Sequence, residues 1–303
     1  MVNRSLRIRY TMWLIVVGAI WGFSFTLSVI ATRTGAHSFT VTFWQAVVAT
    51  CCLLAIGWFT GERLVWTRQL SYLVCVVGIV GVSIPNIIYY TAAPLVSAGV
   101  LSLSTAVIPI ATLLLSVPLG LDRFSSAKMI GLAMGIVGVL MIVVPSGSLE
   151  DRSDVFWVLV ALFSSVCYAV ENIAFSIWLK DNPAPITVTG VGFGVAALVM
   201  MIPNILSGEF TFLTVPLDDA ELAMIALGVG SSGAFIGYVY LIRRAGSVFA
   251  SLTSFLVVIA GVFWGMLILG ERHSLWIWGA LVLILCSVAW VQPLPNPKGQ
   301  PVE

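Results

Sequence analysis

One carboxylate stands apart in this chain. Glu171 lies in an apolar stretch from about residue 155 to 178 that holds no other charged side chain. If that stretch crosses a membrane, Glu171 sits about five residues past its middle, or roughly 7 Å from the midplane at ~1.5 Å of rise per residue. An ionised side chain at the centre of a spanning helix costs roughly 2.5 kcal/mol or more, and Glu is too short to reach the interface easily. It must therefore face a cavity, pair with a cation or hold a proton. Three readings compete, and two of them are functional, namely binding the cationic group of a solute and carrying a coupling proton. The third is structural, a pairing with Arg243 or Arg244 further along the chain.

The neighbours of Glu171 carry a pattern of their own. Ser164, Cys167, Tyr168 and Phe175 fall at helical spacings of three, four and seven from it, so a polar and aromatic stripe accompanies the acid on one helix face. Other side chains able to bind a polar solute lie in other apolar stretches. They are Asn86 and Tyr89 beside Pro85, Tyr238 with Tyr240, and the group Trp21, Trp44 and Gln45. Aromatic residues also collect at membrane interfaces, a reading that stays open for each of them. Gathered around Glu171, the rings would favour a protonated or quaternary amine through cation–π attraction. Pro109, near the middle of its stretch, is the candidate hinge, while the other prolines and Gly131, Gly135 and Gly138 are explained by close packing.

These residues need elements to hold them, and composition says which. Of 303 residues, 60% are hydrophobic and 9% charged, against roughly 25% charged in a soluble domain. A spanning helix takes about 20 mostly apolar residues. Apolar runs between polar breaks predict ten spans, near 10–31, 41–60, 70–90, 95–119, 127–145, 155–178, 186–206, 220–241, 246–269 and 275–291. The first run is too long for a signal-peptide core and reads as a retained span. The expected fold is an all-α membrane protein, with no sizeable soluble domain and with a disordered cytoplasmic tail over 293–303. The five cysteines all fall in apolar runs without metal or redox spacing and read as free thiols.

Charge sorting orients the chain. With the N-terminus inside, the cytoplasmic segments hold eleven Lys and Arg and the outer ones only Arg33, Arg152 and Arg272, while most acids, among them Asp218, Asp219, Glu221 and Glu271, lie outside. Both termini are expected in the cytoplasm, in the inner membrane of a bacterium.

The order of residues also repeats. At an offset of 150, Gly78, Tyr90, Ser97, Ser104 and Gly120 recur as Gly228, Tyr240, Ser247, Ser254 and Gly270; Gly61-Glu62 recurs as Gly208-Glu209, and Trp13 as Trp157. Small offset drifts are what loop-length changes produce. Two five-helix halves, 1–148 and 149–292, are expected, and because five is odd the second enters the membrane the other way up. Inverted repeats of this kind let a central site open to either side in turn.

The segment Ala19-Ile20-Trp21-Gly22-Phe23-Ser24-Phe25, the run Leu101-Ser102-Leu103-Ser104-Thr105-Ala106-Val107-Ile108-Pro109 to Gly120-Leu121-Asp122-Arg123-Phe124, and its counterpart from Ser251 to Gly270-Glu271-Arg272 resemble the EamA-like branch of the drug/metabolite transporter superfamily. The likeness covers nearly the whole chain. The family's usual Gly-Glu-Arg turn is replaced by Gly-Leu-Asp-Arg in the first copy. The resemblance implies ten helices around a central cavity and export or uptake of metabolites, without fixing the solute; the expected function is a secondary active transporter, an exporter, of a small metabolite such as an amino acid or amine.

Other classes fit less well. An intramembrane enzyme would need a nucleophile with a base, or clustered metal ligands, at membrane depth. The two histidines, His37 and His273, fall in outer connections, and no HExxH, GxSxG or phosphate-loop pattern occurs. No cofactor, metal or nucleic acid is expected. A structural or receptor role would leave the repeat and Glu171 without a purpose. Expectation therefore centres on a cationic or zwitterionic small solute, proton coupling and a lipid surround.

Overall fold

The structure, a computed structural model, describes residues 4–33, 35–143, 152–179, 182–208, 210, 212–271, 279, 282–284, 286–287 and 290–291. The boundary expected at 148–149, the tail from 293, Arg272 and His273 lie outside the described residues. Among the described residues every regular element is helical. In hydrocarbon the backbone can satisfy its own polar groups within a helix, which is why so apolar a chain takes this form.

Helix α1 covers Arg4–Thr32 and α2 Ser38–Phe59. Helix α3 spans Arg68–Ala92, with a π-helical stretch at Val76–Ser83 in its middle. Helix α4 runs over 98–116, interrupted by a 3-10 turn at Ser104–Val107, and α5 covers Ser126–Val143. The second half continues with α6 at Arg152–Trp178, α7 at Pro185–Ser207, α8 at Asp219–Ala245 and α9 at Ser247–Leu269. The described residues from 279 to 290 are helical as well, in the place of the tenth span. Seven of these helices are long and apolar enough to cross a membrane, and shorter apolar helices occupy the fourth and fifth places. The ends move by a few residues from expectation. Helix α1 starts six residues earlier than expected, at Arg4.

The halves interlock. Helix α1 packs on α8 and α9, and its counterpart α6 packs on α3 and α4; α2 packs on α8 as α7 packs on α3; α2 meets α7 and α4 meets α9. Each contact has its partner under exchange of the halves, as a pseudo-twofold arrangement requires. The repeated glycines take the same roles in both copies. Gly78 lets α3 approach α7 until a Cβ would meet the carbonyl of Gly192, and Gly228 lets α8 approach α2 against Val48 and the carbonyl of Gln45. Gly61, Gly208, Gly120 and Gly270 all end helices in the left-handed region, where only glycine is unstrained.

Carboxylates stitch the halves together at both ends. Glu62, after α2, accepts from the backbone N–H of Ile186 (3.2 Å) and Thr187 (2.7 Å) and from the Thr187 hydroxyl (2.9 Å), capping α7. Glu271, after α9, accepts from the N–H of Ala98 (2.9 Å) and Gly99 (3.3 Å) at the start of α4. A carboxylate satisfies the unpaired N–H groups of a helix start and complements its dipole. At the start of α8, Asp218 and Glu221 form a capping box. His37 accepts from the Phe39 N–H at the head of α2, which gives that histidine a structural place.

The outer faces are apolar. On α6, Leu159, Phe163, Val166, Val170 and Ile177 are exposed, while Ser164, Ser165, Cys167, Glu171, Asn172 and Phe175 are buried. That division sets the lipid-facing ridge against the stripe that accompanies the acid. All five cysteines are free.

Candidate functional site

A cavity lies where the two halves meet, lined by α1 to α4 of the first and α6 to α9 of the second. Its volume is about 120 Å³, room for several water molecules. Its wall carries one acid, Glu171, and no Lys, Arg or His among the described lining residues.

Glu171 is 2% exposed. Its Oε1 has no hydrogen-bond partner. The carboxyl rests on the backbone of α3, where a Cβ on Gly81 would run into it. Gly81 belongs to the π-helical stretch, in which Ser83 donates to the Gly78 carbonyl at 2.7 Å, five residues back. Such stretches widen a helix by one residue and recur at functional sites. The pairing with Arg243 or Arg244 does not form: Arg243 donates to the Asn182 carbonyl at 3.0 Å, and the ion pair among the described residues joins Lys128 to Asp122. Of the three roles open to Glu171, the structure removes this one.

Around the acid, aromatic faces close the middle of the cavity. Trp21 meets Tyr238 edge-on with ring centroids 4.8 Å apart and Phe235 at 5.2 Å. Tyr168 stacks on Tyr89 at 6.5 Å, and Tyr89 meets Phe25 at 5.2 Å. The Tyr238 and Tyr89 hydroxyls are tied down. Tyr238 donates to Asn172 Oδ1 at 2.7 Å, Asn172 Nδ2 donates to Thr112 on α4 at 3.2 Å, and Tyr89 is bonded to Ser104 at 2.9 Å. Fixed hydroxyls hold these two rings still, so their faces meet a solute without loss of rotamer freedom.

A second polar cluster crosses from α2 to α3 and α8. Gln45 donates through Nε2 to Ser231 Oγ at 2.8 Å and receives Asn86 Nδ2 at 2.7 Å, and the Tyr90 hydroxyl also donates to Gln45 Oε1. On α9, Thr253 Oγ1 and Ser254 Oγ face the same cavity without partners. The wall therefore carries an acid framed by rings together with neutral donors and acceptors.

The sequence expectations distribute as follows. Glu171, Tyr168, Tyr89, Asn86, Trp21, Tyr238 and Gln45 line the cavity together. Trp44 does not. It packs instead on Phe43 and Phe210, because the residue after it on α2, Gln45, takes the inward position and a step of about 100° turns Trp44 away. Pro109 is buried in the first turn of the helix Ile108–Ser116, just after the 3-10 turn of α4. There its missing N–H leaves no helical bond unmade. Tyr240, the repeat partner of Tyr90, points elsewhere, onto Tyr10 and Trp13.

Reading the sequence missed Gly81, Asn172, Ser231, Thr253, Ser254, Phe193 and Phe235 as lining residues. Asn172 adjoins Glu171, and Ser251 and Ser254 stand three apart in an apolar span, so both were signals of an inward polar face. The π-helical turn at Gly81 left no such signal. Among the described residues no three of His, Cys, Asp and Glu gather as metal ligands would.

Comparison with known proteins follows the same outline. The profile of the EamA-like transporter family matches residues 8–144 and again 155–292. An "uncharacterized transporter" of Archaeoglobus fulgidus is 23% identical over 270 residues, covering 87% of this chain and 92% of that protein. A protein of known crystal structure superposes with a TM-score of 0.73 at 19% identity, covering 95% of this chain and 96% of its own, and so shares the fold.

Proposed function

Because the chain belongs to the EamA-like transporter family, we propose that it is a secondary active transporter that moves a small metabolite, an amine or amino acid, by alternating access at the cavity between its halves. The single observation that carries the assignment of the site is Glu171, a carboxylate with an unpaired buried oxygen in a wall built equally from both halves. A conformational exchange between near-equivalent halves would present that group to each side of the membrane in turn.

The lining favours a cation. A protonated amine would lie between Glu171 and the faces of Trp21, Tyr238 and Tyr168, where both the carboxylate and the ring quadrupoles attract it. A carboxylate on the same solute would meet only hydroxyls and amides, such as Thr253, Ser254 and Asn86. Zwitterions are therefore weaker ligands in this reading, and dianions are excluded by the uncompensated charge. A cavity of about 120 Å³ suits a small solute.

Coupling follows from the same group. An acid at this depth is stable when it holds either a proton or the cationic solute, and unstable when it holds neither. A carrier whose halves exchange only when the acid is neutralised would trade one for the other, which is proton antiport. Inward protons would then drive the solute out. The sorting of basic residues supports a bacterial inner-membrane placement with both termini in the cytoplasm, with the halves dividing near 148–149. No covalent step is part of this reading.

The test is transport by the full chain in proteoliposomes against a panel of amines, quaternary amines and amino acids, with and without a pH gradient. Uptake of an amine driven by an outward proton gradient is expected. Equal transport of amino acids and amines, with no response to the gradient, would remove the role given to Glu171.

A further inference from the structure

The central cavity carries two hydroxyls that the binding of an ammonium group leaves unused. On α9, Thr253 and Ser254 are buried, line the cavity and have no hydrogen-bond partner. A hydroxyl inside a helix ordinarily bonds a carbonyl one turn back, as Thr32, Thr42, Thr50, Ser232 and Ser251 all do. The difference goes with a break in α9. A short helix at Ser247–Ser251 is followed by a longer one that begins at Thr253, and at the break the Leu252 N–H takes the Phe249 carbonyl at 3.2 Å. Irregular backbone at membrane depth is tolerated where it lines a cavity.

The repeat shows which partner is lacking. At the offset of 150, Ser254 is the counterpart of Ser104 and Val239 that of Tyr89. In the first half the Tyr89 hydroxyl lies 2.9 Å from Ser104 Oγ. Valine has no hydroxyl to offer, so Ser254 is without the bond that the same position makes in the other half.

Neighbouring oxygens define what fits. Thr105 on α4 donates to the Ser102 carbonyl at 2.7 Å and more weakly to the Ser254 carbonyl at 3.4 Å, and Ser251 donates to the Val248 carbonyl at 2.8 Å. With their protons engaged, these two hydroxyls present lone pairs to the cavity, whereas Thr253 and Ser254 still have an O–H to give. One staggered step about χ1 turns such a hydroxyl toward an arriving group without moving the backbone. A solute group that both donates and accepts matches the set, and a hydroxyl is neutral and does both. A carboxylate only accepts, and would set its charge against the lone pairs. A second ammonium group would find no second acid among the described lining residues. Helix α4 packs on both α6 and α9, and the segment Ser247–Ser251 packs on α6 itself, so these hydroxyls and Glu171 face one cavity from neighbouring helices.

We infer that the solute is an amino alcohol, its ammonium group held by Glu171 and its hydroxyl accepting from Thr253 and Ser254 while donating to Thr105 or Ser251. The inference rests on the role proposed for Glu171 and adds a second point of recognition to it.

The test follows the thermal midpoint of the full chain in detergent, titrated with ethanolamine, 4-aminobutanol and 6-aminohexanol and with the alkylamines of the same lengths. The quantity read is the ratio of half-saturating concentrations, alkylamine over amino alcohol, in wild type and in the double variant Thr253→Val, Ser254→Ala. At the length that spans the two points, the double variant should lower this ratio by about two- to tenfold, the range of one net hydrogen bond. A ratio unchanged at every length overturns the inference. When amines bind and the ratio stays put, this inference alone fails; when neither kind of ligand raises the midpoint, the role of Glu171 fails and takes the inference with it. Should the double variant not fold, Ser254→Ala alone should lower the ratio by about twofold or more, and an unchanged ratio overturns the inference equally.

Discussion

Replacing Glu171 by Gln separates a binding acid from a structural one, because the two roles predict opposite costs. Were Glu171 held by a buried arginine, removing one partner of the pair would cost about 3–5 kcal/mol. At about 2 °C or more per kcal/mol for chains of this scale, that lowers the thermal midpoint by at least ~6 °C. In the structure Oε1 has no partner and the carboxyl rests on Gly81, so the isosteric amide removes an uncompensated charge and breaks no ion pair. The midpoint of Glu171→Gln should stay within ~2 °C of wild type or rise, as happens where a functional group is held at a stability cost. Transport should move the other way. Truncating the charge opposite a buried cation costs about 2–5 kcal/mol, so the apparent affinity for an amine falls by roughly 30-fold or more. Stimulation by a pH gradient should vanish with it. The assays are differential scanning fluorimetry in detergent and labelled-amine flux in proteoliposomes from the same preparation. A variant that transports at the wild-type rate with its gradient dependence intact, or one whose midpoint drops by 6 °C or more, refutes the reasoning.

Three further outcomes follow from the geometry. Gly81→Ala drives a methyl group into the Glu171 carboxyl, an overpacking worth about 1–3 kcal/mol, and should depress amine flux more than Gly233→Ala, where a Cβ meets nothing. Trp21→Leu should weaken amine binding by about 0.5–2 kcal/mol, a two- to thirty-fold rise in half-saturating concentration, whereas Trp21→Phe keeps part of the attraction; competition flux assays measure both. Glu62→Ala removes the cap of α7 and should cost about 0.5–2 kcal/mol, read as a lower thermal midpoint, while Glu62→Gln keeps part of it; an unchanged midpoint in Glu62→Ala would mean that the bonds to Ile186 and Thr187 do not hold the halves together.

Much of the fold was legible because membrane insertion reads local composition. A run of about 20 apolar residues needs no distant partner to become a helix, since its backbone bonds close within itself. The spans follow from that, and the repeat from residues that recur at an offset of 150. The recurrence of Gly61 as Gly208 and of Gly120 as Gly270 was legible as well, and the structure adds that all four end helices in the left-handed region. Glu171 declared itself by its cost, for an acid in such a run has few places to go.

What lay beyond the sequence depends on which helix faces meet. Trp44 and Gln45 are adjacent, both suited to a polar site, and only the packing of α2 against α7 and α8 turns Gln45 inward and Trp44 onto Phe210. Glu62 and Glu271 were visible in Gly-Glu turns, yet their use as caps on the opposite half needed the α2–α7 and α4–α9 contacts. The sequence left Glu171 with an arginine partner or without one, and the tertiary structure decided for the second by setting Arg243 on the Asn182 carbonyl. Local chemistry determines that a helix forms and what it costs to bury a charge in it. The register and rotation at which helices pack are set by side chains far apart in sequence, and those alone decided that one acid and a ring of aromatics would share a cavity.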